Sequence, residues 1–437
     1  MDAVAGLGHF SGSVLVARRG MVLLKKAYGF ADLETKRLNQ PDTQFRIASL
    51  SKSFTAMAIL VLRQKGLLGL DDPLSDFFPE GPGAWRNVRL RHMLGHTSGI
   101  PDYEILLNVQ KMEDYSLWRA KPGNLAYVFE KALSSDLDFE PGSKYKYSNT
   151  GYLLLGHIVE MVSRESYGAF VERELVNRFG MANSGEDRYD LFLLNRAKPY
   201  LLKPERTDKE YFAGFAFDGG MLVEPPRMRM ETPNGAGGMY STAEDLFSWI
   251  QGLIQLAERD PDFEDVFRPG LKGYAMGWFV DERHGRKRIW HSGGLPGFIS
   301  ILEYYPEESA AIVLLGNTDQ YSGPLAEDLA AILFGQSYPL PRRHRLIDLA
   351  LAQLNPLIGQ YRNGGGSIYT VSRDKGRLVI AQGDELSSAM LPESETSFFV
   401  PGFRDNVQVK KNTEGAVIGL IASISGKKET LTKEKVP

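Results

Sequence analysis

Apolar positions along the chain fall into patterns that predict distinct kinds of element. Residues 12 to 29, GSVLVARRGMVLLKKAYG, hold two apolar runs hinged at Arg19-Gly20, the signature of a hairpin near the N-terminus. Ser49 to Lys65 is apolar on nearly all sides past its first turn and is followed by Gly66, a C-terminal cap, which predicts a buried central helix. From 88 to 179 the pattern is mostly helical: VRLRHML, then the loop GHTSGIPDY, then Thr150 to Val162 and Tyr167 to Phe179, with a long irregular stretch between. Residues 183 to 238 carry Gly, Pro and aromatics without a sustained period, as loops walling a cleft do.

Ser241-Thr242 precedes Glu244-Asp245 and an apolar helix running to about Leu256, with the acidic residues near its positive end. Strand patterns return at Tyr274 to Val280, Arg288 to His291, Phe298 to Tyr305 and Ala310 to Leu315, and Pro324 to Phe334 reads as an amphipathic helix. Strands at both ends enclosing a block of helices predict an α+β fold: an antiparallel sheet made from N- and C-terminal segments, flanked by helices, with a helical subdomain. This unit is expected over residues 1–338, and residues 339–356, with basic Pro341-Arg342-Arg343 and a short apolar helix, read as a linker. Residues 357–437 hold short β-like runs separated by Asn363-Gly364, Asp374-Lys375-Gly376 and Glu414-Gly415, which predicts a small C-terminal antiparallel β-barrel-like domain.

Composition narrows the chemistry. Lys+Arg 51 against Asp+Glu 54 leaves a net charge of -3, so there is no bulk positive field for phosphate backbones, and no nucleic-acid partner is expected. Cysteine is absent, so a covalent catalyst must use oxygen or nitrogen. The most apolar stretch, Phe54 to Leu62, stops at Arg63, well short of the ~18 residues of a transmembrane helix. The opening MDAVAGLGHF lacks a basic start followed by an apolar run, so no export signal is read, and the compartment is left open.

Ser49 and Lys52 form Ser-x-x-Lys at the start of the central helix, where a spacing of three puts both side chains on one face. An ammonium can then assist loss of the serine proton, while the helix N-terminus favours developing negative charge. The pattern recurs, at Ser143/Lys146 in a turn and at Ser425/Lys428 in a hairpin, and neither of those supplies a buried helix N-terminus. A helix cap is the alternative role for Ser49. Tyr147-Ser148-Asn149, in a loop before the Thr150 helix, offers a phenol and an amide, and a nearby ammonium such as Lys52 would lower the phenol's pKa. Tyr361-Arg-Asn363 is a second match to that pattern. His291-Ser292-Gly293-Gly294 is the chain's His-x-Gly, with glycines that permit close approach to a strand edge and a backbone amide suited to an oxyanion. His92 and His96 are four apart but lack a His-Glu-x-x-His frame, so no metal site is expected; Tyr103, Tyr115 and Trp118 either line an apolar pocket or pack.

In this order, Ser49-x-x-Lys52, Tyr147-Ser-Asn149 and His291-Ser-Gly293 resemble the serine β-lactamase and penicillin-binding-protein superfamily, in particular its class C β-lactamase-like branch of D,D-peptidases, D-aminopeptidases, carboxylesterases and acyltransferases. Supporting text is spread from Phe45-Arg-Ile-Ala-Ser-Leu-Ser-Lys through Met93-Leu-Gly-His-Thr-Ser-Gly-Ile-Pro-Asp-Tyr and Tyr147-Ser-Asn-Thr-Gly-Tyr to Gly237-Gly-Met-Tyr-Ser-Thr-Ala-Glu-Asp-Leu and Trp290-His-Ser-Gly-Gly. The resemblance covers about residues 10 to 335. It implies a β-lactamase/transpeptidase-like fold, an acyl-enzyme on Ser49, Lys52 as proton partner, Tyr147 as general base and then acid, and Asn149 positioning Lys52 and the substrate amide. The backbone amides of Ser49 and Gly294, beside Gly293, would bind the oxyanion, and no cofactor is implied. His291 stands where β-lactamases usually carry lysine, and a largely neutral imidazole binds a substrate carboxylate less strongly than an ammonium. The expectation is a serine hydrolase of small esters or D-amino-acid amides and peptides with weak or no β-lactamase activity. An acyltransferase, or a non-catalytic binding protein that retains the fold, is the alternative. The C-terminal domain resembles the lipocalin-like appendages of some family members.

Overall fold

The computed structural model describes residues 1–6, 10–107, 124–204, 220–229, 234–318, 323–338, 346–374, 377–382, 388–400, 406–424 and 427–434. Its main sheet has six antiparallel strands, β1 (Gly12–Arg18), β2 (Met21–Tyr28), β3 (Phe279–Arg283), β4 (Arg286–Leu295), β5 (Phe298–Tyr305) and β6 (Ala310–Gly316), in the order β3-β4-β5-β6-β1-β2. The N-terminal hairpin therefore completes a sheet begun near the C-terminus, through pairs from Gly12 with Gly316 to Arg18 with Ala310. Both faces of β1 are covered: Leu15 and Ala17 join the core that holds the central helix, and Val14 and Val16 join a second core under the helix Gly323–Leu333. Two-sided burial is why β1 and β6 read as continuous apolar runs rather than alternating ones.

The central helix α1 (Ser51–Gln64) is entered through a 3-10 turn, Ala48–Leu50, and its residues Ser51 to Leu62 are all buried. Gly66, at φ +69°, reverses the chain with Leu67 N–H bonded to Leu62 O at 3.0 Å, the cap expected at that glycine. Helix α2 (Asn149–Ser163) crosses α1 and is capped by Ser148 Oγ, which accepts the Gly151 N–H. Helix α3 (Ala243–Arg259) is capped by Thr242 and lays Trp249 flat on Phe54 of α1, ring centroids 4.1 Å apart.

Several predicted boundaries move: the strand expected at Arg288 to His291 runs from Arg286 to Leu295, and the helix expected at Tyr167 to Phe179 is α-helical over Tyr167–Val171 and continues as a π-helix over Glu172–Val176. The stretch expected to be irregular between GHTSGIPDY and α2 contains a helix, Asn124–Leu133, whose Val128 and Ala132 recur at a helical spacing and are buried. The strand expected at Tyr274 to Val280 begins at Phe279. Gly277 takes φ +80°, with its Cα face against backbone atoms of Lys52 and Ser53, so this segment kinks over α1 before it can extend. The C-terminal part is a closed eight-stranded antiparallel barrel running from Gly359 to Lys433, sealed by Tyr361 pairing with Lys433 and filled by Tyr361, Val371, Ile380, Phe398, Leu420 and Leu431. Its predicted turns at 363–364 and 414–415 each join neighbouring strands, and the one predicted at 375–376 lies outside the described residues. No helix among the described residues is long and apolar enough to cross a membrane.

Candidate active site

The site is assembled on the turn that leads into α1. Ala48, next to Ser49, sits at φ +48°, a left-handed conformation that costs a non-glycine residue roughly 1–2 kcal/mol. The turn is held there from two sides. Ile47 N–H bonds to Met239 O at 3.0 Å, and the Ser51 hydroxyl accepts the Met239 N–H at 3.1 Å. Buried Ser300 of β5 donates to Ile47 O at 2.7 Å. Gly293 of β4, paired with Ser300, closes the nest: a Cβ there would lie 2.8 Å from Ser49 N and 2.3 Å from Ile47 O. Gly294 has open space on its Cβ side. Strand β3 pairs β4 only as far as Trp290, so residues 291–295 form an edge beside the Ser49 turn.

One helical turn on, Lys52 is fully buried and its Nζ lies 3.0 Å from Ser49 Oγ, 2.8 Å from Asn149 Oδ1 and 2.8 Å from Ala236 O. The amide oxygen and the carbonyl only accept, so two Lys52 N–H bonds are committed to them, and a further position faces the serine oxygen. Ala236 belongs to a short helix, Asn234–Gly237, wedged between α1 and α2; a Cβ on Gly235 would lie 2.2 Å from Tyr152 O.

Tyr147 enters from the segment before α2, its ring 4.9 Å from Lys52 Nζ and its phenol near enough to the Ser49 hydroxyl for that group to favour the phenolate. Burial pushes this phenol well above its ordinary pKa, and the Ser49 hydroxyl opposes that only in part. The lowering expected from Lys52 does not prevail, and the phenol is protonated near neutrality. The surroundings are aromatic: His96 lies 4.1 Å from the Tyr147 ring, with Tyr152 and Tyr274 packed on the other contacts of that imidazole.

His291 is 2% exposed and neutral, its pKa pushed down to about 3 by burial and by the charge of Lys52. Its Nδ1 lies 2.5 Å from Ser292 O, a carbonyl that can only accept, so Nδ1 carries the proton and Nε2 accepts from the Tyr274 hydroxyl at 3.2 Å. Position 291 therefore presents no cation.

Ser49, Lys52, Tyr147 and Asn149 thus converge, with Gly293 against the Ser49 amide and buried His291 6.4 Å from the Tyr147 ring. The other candidate pairs do not. Ser143 donates to Glu140 O while Lys146 bonds Asp138, and Ser425 lies outside the described residues. Tyr361 is a core residue of the barrel. His92 and His96 each spend Nδ1 on a backbone N–H, from Arg89 and Ser148 respectively. Tyr103 packs in the main core, and Tyr115 and Trp118 lie outside the described residues. Sequence reasoning missed Ala236 and Tyr274, and Asp102, whose carboxylate accepts the Asn149 N–H. The glycine cluster at 235–238 is the available signal for the first and the Gly-Ile-Pro-Asp-Tyr stretch for Asp102, while Tyr274 has none beyond residue type.

A family model described as Beta-lactamase matches residues 2–337. The chain belongs to that family. Penicillin-binding protein 4* of Bacillus subtilis (strain 168) is 30% identical over 436 residues, which is 93% of this chain and 92% of the relative. The crystal structure of a penicillin-binding protein from Bacillus halodurans superposes with a TM-score of 0.63 at 27% identity, over 76% of this chain and 98% of that one. D-amino acid amidase from Ochrobactrum anthropi SV3 shares the fold, with a TM-score of 0.62 at 24% identity over 77% of this chain and 99% of its own. This β-lactamase family member is thereby a serine hydrolase of the superfamily that also contains the penicillin-binding proteins.

Proposed function

We propose that Ser49 is the nucleophile of an acyl-enzyme hydrolase acting on small esters or D-amino-acid amides, with weak or no β-lactam turnover. The observation that carries this reading is the Lys52 ammonium bonded to both Ser49 Oγ at 3.0 Å and Asn149 Oδ1 at 2.8 Å, which ties the start of α1 to the start of α2. Ser49 Oγ attacks the substrate carbonyl carbon. Its proton passes to Tyr147 Oη while the phenol's own proton moves to the leaving oxygen or nitrogen, so a buried phenolate need not accumulate. The amides of Ser49 and Gly294 take the oxyanion, the bond to the leaving group breaks, and an ester on Ser49 remains. Water then enters where the leaving group stood and reverses the relay, releasing the acid.

The substrate class follows from position 291. A neutral imidazole with one nitrogen on a carbonyl and the other on a phenol gives no ammonium for a substrate carboxylate, which favours uncharged acyl donors over cephalosporins and carboxy-terminal peptides. A fluorophosphonate probe tests the nucleophile: labelling is expected in the wild type and in Ser143→Ala and is lost in Ser49→Ala. Wild type that takes no label favours the non-catalytic binder. A panel of p-nitrophenyl esters, D-alanyl amides and cephalosporins tests the class, and cephalosporin turnover as fast as that of the esters would overturn the argument from His291.

A further inference from the structure

The segment that carries Tyr147 and Asn149 is held by the loop Gly95 to Tyr103. Lys146 N–H bonds His96 O at 2.9 Å, Ser148 N–H bonds His96 Nδ1 at 3.1 Å, and Asn149 N–H bonds Asp102 Oδ2 at 2.5 Å. His96 is 1% exposed, adopts φ +54°, and lays its ring against Tyr147. Asp102 is 8% exposed, and its other oxygen takes the Glu104 N–H at 2.8 Å. Left-handed backbone at a residue other than glycine, aimed at a functional side chain, is strain that the surroundings must hold in place. Here the loop is itself anchored: Gly142 N–H bonds Thr97 O at 2.8 Å and Asp138 N–H bonds Gly99 O at 2.7 Å. Asp102 and His96 both grip the backbone around the phenol and the amide.

We propose that His96 and Asp102 are positioning residues that clamp two successive amides, of Ser148 and Asn149, and so set Tyr147 and Asn149 on Ser49 and Lys52. The inference rests on the reading of Ser49 and Tyr147 given above. The anchors act on geometry: Asp102 supplies an acceptor for the first amide of α2, and His96 supplies an acceptor and a flat wall for the phenol. A misplacement of about 1 Å costs up to ~100-fold in turnover, so loss of either anchor is expected to lower kcat by ~10- to 100-fold with KM little changed.

The test is a double-mutant cycle on a p-nitrophenyl ester, with kcat counted per fluorophosphonate-labelled site so that unfolded protein does not contribute. Asp102→Ala is expected to lower kcat by ~10- to 100-fold in the wild type, and by a clearly smaller factor in a Tyr147→Phe background, where the displaced phenol no longer matters and only the shift of Asn149 remains. Asp102→Asn, which keeps one carbonyl oxygen, is expected to fall between, and it is judged by the same criteria if Asp102→Ala does not fold. His96→Asn, compatible with the left-handed backbone, is expected to behave as Asp102→Ala does. Equal losses in both backgrounds, or a kcat within ~2-fold of wild type in the single variants, overturns the proposal. Loss of labelling in Ser49→Ala with an additive cycle sinks only this inference, whereas unlabelled wild type sinks the hydrolase reading on which it stands.

Discussion

Two adjacent glycines on β4 give the sharpest test of the site's architecture. Gly293→Ala would place a Cβ 2.3 Å from Ile47 O, 2.5 Å from Ser300 Oγ and 2.8 Å from Ser49 N, while ordinary contact begins at 3.4 Å. Ile47 O and Ser49 N are backbone atoms of the strained turn, so relief requires β4 and the turn to part by about 1 Å. That movement separates the Ser49 amide from the edge of β4. Displacing an oxyanion donor costs ~100- to 1000-fold in kcat, and overpacking of this size costs about 1–3 kcal/mol of stability. Gly294→Ala meets nothing within 4 Å in the fold and is expected to stay within about 0.5 kcal/mol of wild-type stability. Steady-state kinetics on a small p-nitrophenyl ester, with urea melts of the same preparations, separate the effects. Gly293→Ala with a tenth or more of wild-type kcat, or Gly294→Ala equally destabilised, would refute the placement of β4 against the Ser49 turn.

Other outcomes follow from buried charge and packing. His291 is neutral in the fold with a pKa of about 3 and ordinary when unfolded, so the unfolded chain binds more protons between those values and stability falls as pH drops through ~6.5. From pH 7.5 to 5 the wild type should lose about 2 kcal/mol more than His291→Gln in urea melts, and equal losses would contradict a neutral imidazole. Asp187 is fully buried between Arg46, at 2.6 Å, and Arg196, so Asp187→Ala strands a buried guanidinium and is expected to cost about 3–5 kcal/mol; a loss under ~1 kcal/mol would show that water reaches Arg46. Gly277→Ala, at φ +80° with a Cβ 2.8 Å from Ser53 Cα, should destabilise by at least ~2 kcal/mol, and an unchanged thermal midpoint would place this segment away from α1.

The parts of the fold that were legible are those whose cause is local. The apolar runs of β1, β5 and β6 end within a residue or two of the observed strands, because burial on both faces keeps them predominantly apolar, with Ser300 and Glu303 of β5 buried as hydrogen-bonded exceptions. The barrel's turns announced themselves through residues suited to tight reversal. The helix Asn124–Leu133 stands isolated within a stretch that otherwise lacks a sustained period, and the start of β3 is hidden because only the close approach of Gly277 to Lys52 and Ser53 forces the kink.

For the site, sequence by itself determined the Ser49 to Lys52 pairing, since a spacing of three brings two side chains to one face of a helical turn, here the 3-10 turn that runs into α1. It also supplied a phenol, an amide and a glycine edge, without their meeting place. Tertiary structure alone decided that Tyr147 and Asn149 reach Lys52, through the crossing of α2 over α1, and that His96 and Asp102 hold them. It also decided the protonation of Tyr147 and His291. A pKa depends on how much water and charge surround a group, and those surroundings come from segments far apart in the chain that only packing brings together.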